Sequence, residues 1–159
     1  MSSKNNRRSP RRTPAAARTR AQLLPMGRSE ALNLALRTRI ALERLRNGEA
    51  DRPLINHLAQ VAIITGFITR AGYGKLDIGE IDRVEQGLGQ VIIDADHNGT
   101  WSIPDSLIDS LTAVVNDYDR ALGETRMEIM ARASDHLERL MNAAAYVAPS
   151  KVTRHPGTV

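Results

Sequence analysis

Cysteine is absent from the 159-residue chain. That excludes thiol catalysis, Cys-ligated zinc and disulfides, and it fits a reducing cytoplasm. Aromatic residues are scarce too: one Trp, one Phe and three Tyr. With 42 % apolar residues, a core must be built from Leu, Ile, Val, Ala and Met, which suits packed helices. No apolar run approaches the roughly 18 residues of a membrane span, so no membrane partner is expected. The N-terminus lacks the apolar stretch of about 7–15 residues that marks a secretory signal, although its Arg-rich, acid-free composition is also that of a mitochondrial transit peptide. No stretch of four or more residues alternates cleanly between apolar and polar, as a half-buried strand would. The expected fold class is all-α.

Acid is missing from one region only. Residues 1–28 hold eight basic residues and no Asp or Glu, leaving 14 basic and 18 acidic residues for the remainder. The formal net charge of +4 therefore belongs to an arm, and the body is mildly acidic. The arm is also rich in Ser and Pro and poor in large apolar residues, the composition of a disordered segment. Such an arm can neutralise phosphates without a fixed fold. Its candidate nucleic-acid contacts are Arg7, Arg8, Arg11, Arg12, Arg18 and Arg20. Three regions follow: a disordered arm over 1–28, a helical domain over 29–146 and a flexible tail over 147–159.

The middle region predicts a compact bundle of about five helices. Ser29 is positioned to cap the first, which runs to Asn47 with Leu32, Leu36 and Ile40 on one face. Asp51 caps the second, Pro53 fits its first turn, and Leu54, Leu58, Val61, Ile64 and Ile68 recur at steps of three and four. The third starts at Asp77, with Glu80 completing a capping box and Ile81, Val84, Leu88 and Val91 on the buried face. Gly87 and Gly89 in its interior suit the close approach of a neighbour. Ser102 and Pro104 open the fourth, whose stripe is Leu107, Leu111, Val114 and Tyr118, and Gly123 ends it. Thr125 and Glu128 form a second capping box at the start of the fifth.

Between the third and fourth helices lies "DADHNGTWSIPD", residues 94–105. Asp94, Asp96 and Asn98 stand at positions 1, 3 and 5 of a twelve-residue calcium loop, and Gly99 at position 6 allows its sharp turn. Thr100 would add its backbone carbonyl and Asp105 would close the site. Calcium is the one cofactor this pattern raises. Against it, Asp105 is shorter than the Glu usual at the last position. The nearest candidate sister loop, residues 69–80, has Thr69, Ala71 and Tyr73 where carboxylates belong. The competing expectation is a structural turn at Asn98-Gly99, with Trp101 folding back as its anchor.

No catalytic set is expected, and the chain reads as non-enzymatic. HExxH, GxSxG and GxxxxGK[ST] are absent, and His57, His97, His136 and His155 lie far apart. His57 fits a boundary residue better than a base. A helix-turn-helix around "ALGETR" is disfavoured by Asp119 and Arg132 at positions wanting a small and an apolar residue, and by a charge-balanced second helix. On the fifth helix Met130, Ala133, Leu137, Leu140 and Ala144 form a short coiled-coil seam. Met130, Leu137 and Leu140 are thus candidates for self-association in a homo-oligomer, or for docking a protein partner; packing within the chain is the alternative.

The basic N-terminus, the helical middle, "NGTW" and "LIDSLTAVVNDYDRALGETRMEIMARA" together resemble a group of small helical proteins from phages and genomic islands of Gram-negative bacteria. These are often labelled Fis-family transcriptional regulators. The resemblance is best over roughly residues 85–133 and implies a mobile-element origin and a helical fold.

Overall fold

The structure, a computed structural model, describes residues 20–147. A helical turn over 20–23 leads into five helices: α1 (Arg28–Arg46), α2 (Arg52–Arg70), α3 (Ile78–Asn98), α4 (Asp105–Glu124) and α5 (Met127–Val147). Among the described residues the sole extended pairing is an isolated bridge between Pro25 and Arg126. The predicted disordered arm and C-terminal tail lie, for the most part, outside the described residues.

α2 is the hub, packing against each of the other four helices. Its sequence explains the position. Between the terminal arginines, "PLINHLAQVAIITGFIT" is apolar on most sides, and a helix apolar all round belongs in the middle of a bundle. Asp51 Oδ1 accepts from Leu54 N at 2.8 Å and caps the helix as expected. One core cluster joins Leu42 and Leu45 of α1, Leu54, Ile55 and Leu58 of α2, Ile81, Val84 and Leu88 of α3, and Leu111, Val114 and Val115 of α4. Each such Leu or Ile contributes about 1.5–3 kcal/mol by leaving water. A second cluster joins Val61 and Ile68 of α2, Tyr118, Ala121 and Leu122 of α4, and Met130 and Ala133 of α5.

On α1 the expected face is turned the other way. Leu32, Leu36 and Ile40 point outward and are each more than half exposed. The inner face is Thr38, Leu42 and Leu45, with Ala31, Leu34, Ala35 and Ala41 beside them. Small residues let α1 lie close on α2 and α4, and a search for large apolar residues passes over them.

Several helix ends also differ from expectation. Gly27, not Ser29, stands at the start of α1 and supplies no side-chain cap. α4 begins at Asp105, with Pro104 at the capping position in place of Ser102. Gly123 does not stop α4, which continues through Glu124. Thr125 forms no capping box, because its hydroxyl is buried without a hydrogen-bond partner. At the start of α3, Asp77 Oδ1 accepts from Gly79 N at 2.9 Å. Of the two interior glycines, only Gly87 serves a close approach: a Cβ there would sit 2.8 Å from Leu107 Cδ1, whereas Gly89 has open space around it.

A polar bracket fastens the α2–α3 connection to α4. Asp117, buried on α4, accepts from Lys75 N at 3.1 Å and from Arg120, whose guanidinium also donates to the Tyr73 carbonyl at 2.8 Å. Burial opposes the charge on Arg120, yet the bonds to Asp117 and Glu124 hold its pKa above the ordinary value.

Candidate functional site

Of the six arginines assigned to nucleic acid, Arg7, Arg8, Arg11, Arg12 and Arg18 lie outside the described residues. Arg20 is exposed on the helical turn that precedes α1. The root of the arm is fixed. Met127 N donates to the Leu24 carbonyl at 2.9 Å, Pro25 bridges to Arg126, and Met26 packs on the second core cluster. The arm therefore joins the body at the joint between α4 and α5. Pairwise backbone bonds set this anchor, and residue types alone carry no signal for it.

The segment 94–105 does not form a calcium loop. α3 continues through Asn98, so Asp94 and Asp96 are helical residues about 200° apart around its axis and cannot face one ion. Each carboxylate is engaged elsewhere. Asp94 accepts from Gln90 at 2.7 Å, and Asp96 pairs with Arg52 of α2. Asn98 Oδ1 accepts from Thr100 N at 2.8 Å, closing a local turn, and Asp105 opens α4. Among the described residues no group of three or more His, Cys, Asp or Glu is placed to hold a metal ion. The turn itself needs Gly99, which has a left-handed φ of 74°. Trp101 folds back onto the first core cluster, with the Arg52 guanidinium 5.8 Å from its ring centroid. Arg52 thus clasps the turn from α2, through Asp96 on one side and the indole face on the other.

The seam on α5 is divided along its length. Met130 and Ala133 are buried against α2 and α4 in the second core cluster. Leu137 is half-buried and Leu140 and Met141 are exposed, lining a groove of about 400 Å³ with Ala59, Gln60 and Ile63 of α2. Met130 therefore belongs to the interior, and only the C-terminal part of the proposed self-association stripe reaches the surface.

Two further polar places stand apart from these, the first at His57, which occupies the boundary position expected of it. His57 is half-buried on α2 and its Nε2 lies 3.4 Å from the buried Thr38 hydroxyl of α1. Burial, reinforced by Arg37, lowers its pKa. Between α2, α3 and α5 a cleft of about 550 Å³ is lined by Phe67, Arg70, Glu85, Arg132 and His136. His136 stacks on Phe67 with ring centroids 5.3 Å apart. Glu85 Oε1 is shielded without a hydrogen-bond partner, and burial raises its pKa against the attraction of Arg70. Glycine at position 66 makes room for this pair, since a Cβ there would meet Glu85 Oε1 at 2.9 Å and Arg70 Nη1 at 3.0 Å. Arg70 is itself paired with Asp82, which balances much of the cleft's charge.

No described helix is long and apolar enough to cross a membrane. No family model matches the chain, and neither does a curated protein or a solved structure.

Proposed function

We propose that the protein is a non-enzymatic helical interaction protein of phage or mobile-element type. In this reading a basic N-terminal arm associates with nucleic acid and the helical body carries a partner surface. The division of charge supports it most: eight basic residues and no acid in residues 1–28, against a net acidic remainder. A cationic segment joined to a folded body can gather phosphate contacts without sequence readout, since Arg and Lys neutralise backbone charge and release counterions. The backbone bonds at Leu24 and Pro25 fix the point where this segment joins the body, at the joint between α4 and α5. The origin is supported only by the resemblance carried on "NGTW" and "GETRME".

The test keeps the chain whole. Arg7, Arg8, Arg11, Arg12, Arg18 and Arg20 are changed together to Gln, and binding to a generic duplex is titrated against salt. The native protein is expected to bind at low salt with a steep negative slope of log affinity against log salt. The six-Gln variant is expected to lose most of that slope while keeping its helical circular-dichroism signal. Equal binding by both proteins would refute the arm's role.

A further inference from the structure

We propose that the outward ridge of α1 is a self-association surface, paired antiparallel about Leu36 with the same ridge of a second copy. The inference deepens the partner-surface part of the proposed function and does not depend on phosphate contacts by the arm.

Leu32, Leu36 and Ile40 are 59, 58 and 52 % exposed. Scattered exposed leucines need no explanation, but three in one row on one helix form a contiguous apolar strip. Their spacing of four residues makes a single ridge of the kind that interdigitates in the commonest class of helix packing, which uses the same row on both partners. A ridge symmetric about its middle residue is self-complementary. With Leu36 on the two-fold axis, Leu32 of one copy meets Ile40 of the other, as an isologous interface requires.

The charges around the ridge favour this occupant over nucleic acid or an acidic surface. α1 carries five arginines, but the structure pairs three of them within the chain. Arg39 reaches Asp119 on α4, Arg44 reaches Glu49 and Asp51, and Arg46 reaches Glu43. Arg39 Nε lies 2.5 Å from Oδ2 of Asp119, whose two carboxylate oxygens are buried, so Arg39 is turned toward the α1–α4 contact. The strip is therefore apolar with largely neutralised margins. The same antiparallel arrangement brings Glu43 of one copy, paired with Arg46 of its own chain, within one residue of the position facing Arg28 of the other, so opposite charges lie near each other at the ends of the ridge. The eight helical steps from Arg28 to Leu36 rise about 12 Å, so the two arm roots would stand on the order of 24 Å apart along the pair.

The absence of cysteine makes the geometry directly testable. In the full chain, Leu36→Cys places one thiol beside the two-fold axis, and mild oxidation is expected to give a disulfide-linked dimer in high yield. Ile93→Cys on α3 and Met141→Cys on α5, equally exposed apolar positions, are expected to remain largely monomeric under the same conditions. Separately, sedimentation equilibrium of the native chain is expected to show a concentration-dependent dimer that Leu36→Glu abolishes with helical content intact. Leu140→Glu is expected to leave that dimer in place. A native chain that stays monomeric at hundreds of micromolar would overturn the proposal. Cross-linking as efficient at position 93 or 141 as at 36 would do so too, as would a dimer lost in Leu140→Glu but kept in Leu36→Glu. Nucleic-acid titrations of the Leu36→Glu variant separate this result from the arm's role, because low-salt binding by a single arm is expected to persist.

Discussion

Leu32, Leu36 and Ile40 on α1 recur at steps of four residues, and Met130, Ala133 and Leu137 on α5 at steps of three and four, both helical spacings, yet the two rows lie in opposite surroundings. The α1 row faces outward. The α5 row enters the second core cluster at Met130 and Ala133 and emerges only past Leu137. What separates them is the opposite side of each helix. α1 has a second apolar face of Ala, Leu and Thr that docks on α2 and α4, so its larger row is left over. α5 packs against α2 and has a single apolar row with which to do so. Periodicity shows that a stripe exists, and the competition between faces decides which one is buried.

Truncating one residue in each row should separate the two faces. Met130→Ala should destabilise the protein by about 2–4 kcal/mol, through lost transfer energy and a residual cavity. Leu36→Ala, measured at a concentration low enough to keep the chain monomeric, should change stability by less than about 0.5 kcal/mol. Urea melts of the two variants side by side check both numbers, and equal losses would mean that the rows are equivalent.

Leu137 marks the boundary where α5 leaves the core. Leu137→Ala should cost about 1 kcal/mol, between the other two, because the side chain is only partly buried. A cost as large as that of Met130→Ala would extend the core to the groove beside Ala59 and Ile63.

The smallest effect concerns the inner face of α1, where Thr38 meets His57. Burial and Arg37 lower the His57 pKa in the folded state, so folding prefers the neutral ring. Above the ordinary value of 6.5 both folded and unfolded chains are neutral there and nothing changes. As pH falls below it, the unfolded chain takes up the proton first and stability declines until the folded ring titrates. Denaturation midpoints between about pH 7.5 and 5 should therefore fall more for the native protein than for His57→Gln. Parallel pH profiles would show that the α1–α2 contact does not sense the charge of this ring.

Much of the fold was legible in the residues. α2 and α3 carry clean stripes, Leu54, Leu58, Val61, Ile64 and Ile68 in one and Ile81, Val84, Leu88 and Val91 in the other, and all of these are buried except Ile64, which is partly buried against the second core cluster. Gly87 announced a close neighbour, and Leu107 is that neighbour. At 94–105 the turn expected at Asn98-Gly99, with Trp101 folded back, is formed, while the calcium-loop spacing is not used, because its first five positions are equally compatible with a continuing helix. Gln90, Arg52 and Thr100 then satisfy the polar groups that a loop would have turned toward an ion. The basic arm was visible as a charge imbalance. The shielded Glu85 and the His57–Thr38 contact were not, because each depends on side chains of different helices meeting at one level.

The Asp117–Arg120 bracket bears on how the molecule moves. The connection it holds, around Gly72 and Gly74, has the composition of a hinge. Opening it alone would strand a carboxylate whose side chain is 5 % exposed and leave the Lys75 amide and Tyr73 carbonyl without their partners, a cost on the order of a few kcal/mol. A segment with so steep a local penalty has no cheap open state of its own. It opens and closes in the same cooperative unit as α4, so the glycines that shape this turn confer no independent motion on it, and α2 and α3 behave as one rigid piece across a joint built from the residues usually associated with flexibility.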